Sequence, residues 1–338
     1  MVVAKDSKSA GADATRRVLP ILHSIIDADA LGAEIGAHYD LLKPLHCELL
    51  ARGMNDVYEL RCGSERLAVR LWNARGRTED EVIYELDYLN FLKAEGLPVS
   101  PALRARNGQF HFSVEAPEGR RYVALFEWAQ GAEMAAAPTA EHAAALGALI
   151  GQLHVVSPRF RGGDQRRLDH ADSIRRNFPA LARRLGHRPD DLAFYARVAE
   201  ALPAALDDAS TAAPMSPTHG DTTPFNVFVH DGHVTLMDFE TCGYGHMSHE
   251  LGSFCWSAAK NNYPPEIAER FLAAYDQVRP RDKAERDLFP LFLCAKDFGQ
   301  LCGLSAGTNA VGSAAFRFRG FDWAAESVRR HVRAAKLL

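Results

Sequence analysis

The run HGDTTPFNVFVHDGHVTLMDFE, residues 219–240, decides how the chain reads. "NVFV" and "HVTLM" are short apolar strands around Asp231-Gly232, a strong two-residue hairpin signal. With that loop, His230 pairs with His233 and Val227 with Leu236, so Asn226 stands opposite Met237 and beside Asp238. Asp221 lies upstream in a loop that Pro224 stiffens. The open end of the hairpin thus gathers two carboxylates and a carboxamide. A carboxylate with an amide oxygen suits Mg²⁺, a hard cation shared between a few protein oxygens and substrate phosphates. A further carboxylate beside them could orient and deprotonate a hydroxyl, which is the division of labour in phosphoryl transfer. The same residues also serve as plain turn formers, with Asp238 capping the next segment. From spacing alone both readings stand.

Outward from the hairpin the chain divides in character. "HCELLARGMNDVYELRCGSERLAVRLWN" predicts three strands, and "TEDEVIYELDYLNFLKAEG" a helix. Thr78 and Glu81 form a capping box there, Val82, Leu86 and Leu89 an apolar stripe, and Gly96 the stop. "GQFHFSVEA" and "RRYVALFEW" add two strands, and "ILHSIIDADALGAEIGAHYD" a leading helix. From residue 139 onward helical patterns dominate on both sides of the hairpin. The expectation is an α+β chain of two lobes: residues 16–128 a strand-rich lobe with one inserted helix, residues 129–338 a larger helical lobe, with a hinge near 127–132. Residues 1–15 read as a loose tail.

Composition narrows the class. With 338 residues, 47% hydrophobic, the chain can bury a large core. Thirty-nine basic against 43 acidic residues, net −4, give no global attraction to nucleic acid or an anionic membrane. "AAALGALIGQLHVV" is too short and interrupted to span a bilayer, and the N-terminal stretch lacks a secretory apolar run. Cysteines 47, 62, 242, 255, 294 and 302 form no CxxC pair and read as reduced thiols of a cytoplasmic protein. Histidines 230, 233, 246 and 249 lack the pattern of a zinc hydrolase.

"HGDTTPFN" followed by "VTLMDFE" resembles the phosphotransferase superfamily of aminoglycoside phosphotransferases, choline kinase and type II homoserine kinases, which share the protein-kinase-like fold. Weaker correspondences run from about residue 50 to 300. The resemblance implies ATP and Mg²⁺ as cofactors and Asp221 as catalytic base. Asn226 and Asp238 would hold the metal, and His219 would fix the loop. It places Arg70 of "RLAVRLW" at the ATP phosphates, where protein kinases carry Lys, paired with helix residue Glu85 rather than its rival Glu81. An exposed edge-strand Arg is the bland alternative. "ARGMNDVYEL", with Gly53 and Asn55, would form the turn over the nucleotide, although it has neither a Walker A sequence nor the kinase glycine triplet. In "FEWAQG" the backbone at Glu127 and Trp128 would meet the adenine edge, with Phe126 or Trp128 packing nearby. Glu250 stands where relatives carry Asp before Leu, and is expected to be structural. Asp238-Phe239-Glu240 replaces Asp-Phe-Gly and no Ala-Pro-Glu follows, which fits a small-molecule kinase better than a regulated protein kinase. The expected acceptor is a small-molecule hydroxyl, amine-bearing if the homoserine or amino-alcohol reading holds. Acidic residues lining the acceptor pocket would suit such an amine by charge complementarity. An aminoglycoside-type acceptor, a stress-response protein kinase and a nucleotide-binding pseudokinase are the alternatives. Neither nucleic acid nor membrane is an expected partner, and monomer and homodimer stay open.

Overall fold

Strands rich in Val, Leu and Tyr, separated by two-residue and three-residue links, pair as their spacing demands. The computed structural model describes residues 19–162, 165–209, 211–311 and 320–338. A helix, α1 (Ala28–His38), precedes an antiparallel sheet of β1 (Leu45–Arg52), β2 (Asp56–Cys62), β3 (Glu65–Leu71), β4 (Phe112–Ala116) and β5 (Gly119–Glu127). The strand order is β1-β2-β3-β5-β4, and α2 (Glu79–Ala94) is inserted between β3 and β4. Tyr58, Leu60, Val69 and Leu125 pack with Leu31 and Ile35 of α1, whereas Trp72, Ala124 and Phe126 belong to the core shared with α2. Both hydrogen bonds of the Thr78–Glu81 capping box start α2. Gly96, at φ +85°, ends it.

The leading helix is shorter than its apolar pattern predicts. Residues 21–27 are not helical, and helix begins at Ala28, where the Asp27 side chain accepts from Ala30 N. The stretch before it is held by side chains instead: His23 Nε2 lies 2.8 Å from Asp56 Oδ2, and Ser24 donates to Glu118. Tertiary contacts override the local pattern here. The tail of residues 1–15 lies outside the described residues.

Beyond β5 come β6 (Ala132–Glu133), α3 (Ala140–Val156), α4 (His170–Arg184) and α5 (Pro189–Ala209). Then follow β7 (Met215–Thr218), the hairpin β8 (Val227–His230) and β9 (His233–Leu236), and β10 (Gly243–His246). α6 (Met247–Lys260), α7 (Pro265–Val278), α8 (Lys283–Val311) and α9 (Gly320–Ala334) complete the chain. One core joins α2, α3, α6, α7 and the hairpin; a second joins α4, α5, α8 and α9. Val99 bridges to Leu236, and Leu236 N donates to Pro98 O at 2.9 Å, so the stretch after α2 covers the free edge of β9. Gly131, at φ +92°, marks the passage between β5 and β6: a Cβ there would sit 1.9 Å from Val229 O. The architecture is a β-rich N-terminal region and a larger helical C-terminal region.

Candidate active site

The Asp231-Gly232 turn pairs His230 with His233 and Val227 with Leu236. Met237 N then donates to Asn226 O at 2.9 Å, which brings the two ends of the hairpin together. β7 pairs with β10 on the other side, Thr218 opposite Gly243, and delivers the loop 219–226. Gly220 adopts φ +84°, and a Cβ there would lie 2.2 Å from Thr241 O, so only glycine lets the loop lie against the segment after the hairpin. His219 clasps the two: its Nε2 donates to Met237 O at 2.6 Å, and its Nδ1 accepts from Asp221 N at 3.2 Å.

Asp221 is bracketed on both oxygens. Asn226 Nδ2 donates to Asp221 O at 2.9 Å and to Oδ2 at 3.2 Å. Lys296, from α8, places Nζ 2.8 Å from Oδ1. Burial alone would raise the Asp221 carboxyl, yet Lys296, His219 and Asn226 hold it below the usual carboxylate range. Asp238 follows β9 in the left-handed region, φ 61° and ψ 66°, which turns its side chain back toward β3.

There it meets Arg70. Arg70 Nη1 lies 2.6 Å from Glu85 Oε1, and Nη2 lies 2.8 Å from Asp238 Oδ1, so one guanidinium spans α2 and the hairpin. Glu81 is occupied by its capping box and lies 3.6 Å from Arg166. Arg70 is 13% exposed, not an edge-strand surface residue. Burial works against its charge, but Asp238 and Glu85 more than offset that and hold it above its ordinary range. Burial raises the Glu85 carboxyl, with Arg70 opposing.

The Gly53–Asn55 turn reaches the same place. Asn55 accepts from Asn73 N at 3.1 Å and donates to Glu240 Oε2, tying the turn to the segment after Asp238. Arg77 donates to Glu240 O at 2.8 Å. Burial and the adjacent Asp238 push the Glu240 carboxyl up to about 7. Glu250 is 1% exposed and acts from beneath. It accepts from Gly220 N (3.0 Å) and Thr222 Oγ1 (2.8 Å) on one oxygen, and from His154 Nε2 (2.7 Å) on the other.

Glu127 and Trp128 stand apart from this cluster. The Glu127 carboxylate is 57% exposed and faces Lys93, while the Arg66 guanidinium covers the Trp128 ring at 3.9 Å. Glu127 N donates to Pro101 O at 3.0 Å, and Ser100 Oγ donates to Glu127 O. Its backbone N–H and carbonyl are therefore both engaged by the segment after α2. Phe126 packs against Trp72 and under Arg70 as a core aromatic.

A cleft of about 710 Å³ opens over Asp221, walled by Gly53, Arg77, Glu240, His170, Lys296 and Gln300 among others. Arg77, His154, His170 and Lys296 carry no signal of their own in the sequence: His154 and Lys296 lie in ordinary helical runs, "GQLHVV" and "CAKDFG", and Arg77 and His170 stand at the starts of helices. No group of three or more His, Cys, Asp or Glu among the described residues could hold a metal by itself. No helix among them is long and apolar enough to cross a membrane.

Comparisons with known proteins give the family and the fold. A sequence model described as "phosphotransferase enzyme family" matches residues 46–289. An uncharacterized Deinococcus radiodurans protein is 28% identical over 336 residues, covering 96% of this chain and 97% of that one. A Pseudomonas aeruginosa homoserine kinase is 30% identical over 233 residues, 65% of this chain and 67% of its own. Among solved structures, an amicoumacin kinase in complex with AMP-PNP and Ca²⁺ superposes with a TM-score of 0.70 at 18% identity, covering 92% of this chain and 94% of that one. A microcompartment-associated aminopropanol kinase gives 0.63 at 20% identity, covering 92% and 99%.

Proposed function

The chain belongs to the phosphotransferase enzyme family, with a protein-kinase-like fold and ATP-dependent transfer, and on that premise we propose that it moves the γ-phosphoryl of Mg-ATP to a small-molecule hydroxyl with Asp221 as base. In this step the bond from the γ-phosphorus to the leaving oxygen of ADP breaks. A bond from the acceptor oxygen to phosphorus forms, and the acceptor proton passes to the Asp221 carboxylate.

The donor set fits a hard divalent cation. Asn226 is oriented by its Nδ2, which leaves its carbonyl oxygen free of those contacts, and Asp238 keeps Oδ2 outside its bond to Arg70. These two residues would hold Mg²⁺, which neutralises phosphate charge when bound. A site of one carboxylate and one amide oxygen suits a metal that takes its other ligands from phosphate and water. Arg70, anchored by Nη1 on Glu85 and by Nη2 on Asp238, would meet a phosphate beside Asp238 with the N–H donors those two contacts leave over. The Gly53–Asn55 turn, tied to Glu240 through Asn55, would cover the nucleotide, and the backbone at Trp128 would meet the adenine edge. His219 and Glu250 hold the loop that carries Asp221.

The observation that carries the reading is the Asp221 carboxylate, kept ionised and open to the cleft between Asn226 and Lys296. An amino-alcohol such as homoserine is the finer reading of the acceptor, supported by the name of the Pseudomonas aeruginosa relatives. The test is Asp221→Asn in the full chain. Calorimetry should find Mg-ATP affinity within about threefold of wild type. Transfer, followed by ³¹P NMR, should fall by about 10²–10⁴-fold. Unchanged turnover removes Asp221 from the base role, and absence of Mg-ATP affinity in the parent removes the kinase reading altogether.

A further inference from the structure

The half of the cleft away from Arg70 and Asp238 is built by α4 and α8. Lys296 and Gln300 lie one turn apart on α8, share a face, and look across the cleft to His170 and Ser173 of α4. Lys296 is 6% exposed. Among the described residues its one hydrogen-bonding partner is Asp221 Oδ1, at 2.8 Å. An ammonium carries three N–H donors, so two stay unspent. A buried cation in that state is costly until an acceptor of opposite charge arrives. The Trp256 ring, 5.8 Å from Nζ, offers a π face but no hydrogen-bonding oxygen. Gln300 makes no side-chain hydrogen bond to a described residue, so its amide is free to join.

What else lines this half matters as much. His170 and His249 stack with centroids 3.5 Å apart and planes at 16°. Burial keeps both neutral, pushing His170 down to about 3. The carboxylates on the cleft wall among the described residues are Asp221 and Glu240. Asp221 is charge-paired with Lys296 and left to the acceptor hydroxyl, and Glu240 sits beside Asn55. A cationic acceptor would find no free carboxylate here, contrary to the acid-lined pocket expected for an amine.

We infer that the acceptor is a hydroxy-carboxylate, its hydroxyl presented to Asp221 and its carboxylate gripped by Lys296 and Gln300. This rests on the phosphotransferase reading and deepens it. Two hydrogen bonds in series with the 2.8 Å Lys296–Asp221 contact allow at most ~9 Å between hydroxyl and carboxylate oxygens. The two groups are therefore only a handful of bonds apart. The floor is open to it: a Cβ built on Gly303 would meet no atom within 4 Å.

The test uses the full chain, Mg-ATP and matched acceptors. Homoserine and 4-hydroxybutanoate are compared with their carboxylate-reduced counterparts, 2-aminobutane-1,4-diol and butane-1,4-diol, with choline and an aminoglycoside as cationic controls. Transfer is read by ³¹P NMR, and binding by calorimetry in the presence of Mg-ADP. Reducing the carboxylate should lower kcat/KM by about 30-fold or more, as expected for loss of a charge-assisted pair. In Lys296→Met that ratio should collapse toward one, whereas a merely structural lysine would depress both members equally. Gln300→Leu, which leaves the Lys296–Asp221 pair in place, should show the same selective loss, smaller. Equal kcat/KM for a matched pair, or preference for choline or the aminoglycoside, overturns the inference. So does a chain that binds Mg-ATP yet neither binds nor phosphorylates any carboxylated member, an outcome that leaves the phosphotransferase reading intact. A chain without Mg-ATP affinity fails at that earlier reading instead.

Discussion

Replacing Glu250 with Ala tests how the loop carrying Asp221 is held. The carboxylate is 1% exposed and receives three donors: Gly220 N at 3.0 Å, Thr222 Oγ1 at 2.8 Å and His154 Nε2 at 2.7 Å. Each hydrogen bond to a charged acceptor contributes roughly 1.5–3 kcal/mol. The sum is reduced because the buried carboxylate's own desolvation cost disappears with it. Breaking a buried charged cluster by removing one partner costs roughly 3–5 kcal/mol, and the same range is expected here. At about 2–3 °C per kcal/mol for a chain of this size, the melting temperature should fall by roughly 10 °C.

Activity should respond more steeply than nucleotide binding. Gly220 precedes Asp221, and a misplacement of ~1 Å near the reacting group can cost on the order of 10²-fold in kcat. Arg70 and Asp238 are held by separate contacts, so Mg-ATP affinity should change by less than about fivefold. Scanning calorimetry and a ³¹P NMR transfer assay give the two readouts. Glu250→Asp keeps the charge on a shorter arm that cannot serve Gly220 and His154 together, and should recover about half of the lost stability. A Glu250→Ala protein within about 2 °C of wild type would refute the reasoning, because it would behave as a surface change.

Three further outcomes follow from the same contacts. Arg70→Lys offers one nitrogen where Glu85 and Asp238 are met by two, so the Mg-ATP dissociation constant should rise about tenfold by calorimetry, and an unchanged value counts against the bridge. Gly220→Ala puts a Cβ 2.2 Å from Thr241 O at φ +84°, and should lower kcat by about 10²-fold or more while leaving ATP binding near normal. Burial alone would raise the Glu250 carboxyl, but His154 and Thr222 more than offset it and depress it in the folded protein. A depressed folded value contributes stability above the unfolded carboxylate range near ~4.3 and loses it as pH falls through the lower folded value. Melting temperature should therefore show no Glu250-linked loss from pH 8 down to about 5 and a decline below about 4, with Glu250→Ala lacking that portion of the acid sensitivity.

What was legible in the sequence is what lies close along it. The Asp231-Gly232 turn sets the register, and register alone places Asn226 against Met237. Arg70 and Glu85 are 15 residues apart, on a strand and on the helix that follows it. By contrast, Lys296 meets Asp221 across 75 residues and His154 meets Glu250 across 96. Nothing in "CAKDFG" distinguishes Lys296 from a solvated helix lysine, because its partner is chosen by how α8 packs on the loop. The buried pair of Arg121 and Asp56, both 0% exposed, was hidden for the same reason. The leading helix failed in the opposite direction: its apolar pattern was local, while His23 and Ser24 were claimed by distant carboxylates.

This split has a functional consequence. The cluster of Asn226, Asp238, Arg70 and Glu85 depends on a hairpin and a strand–helix pair whose geometry local sequence dictates, so it is written in the order of the residues themselves. The other half of the cleft depends on which face of α8 turns inward, and Lys296, Gln300 and Gly303 reach it through the packing of α8 against α4 and α6. Substitutions on that face alter the charge offered to the acceptor while leaving β8 and β9 untouched. The proposed reaction and its proposed acceptor therefore rest on different parts of the chain, and the case for an anionic acceptor rests on one lysine of α8 paired to Asp221.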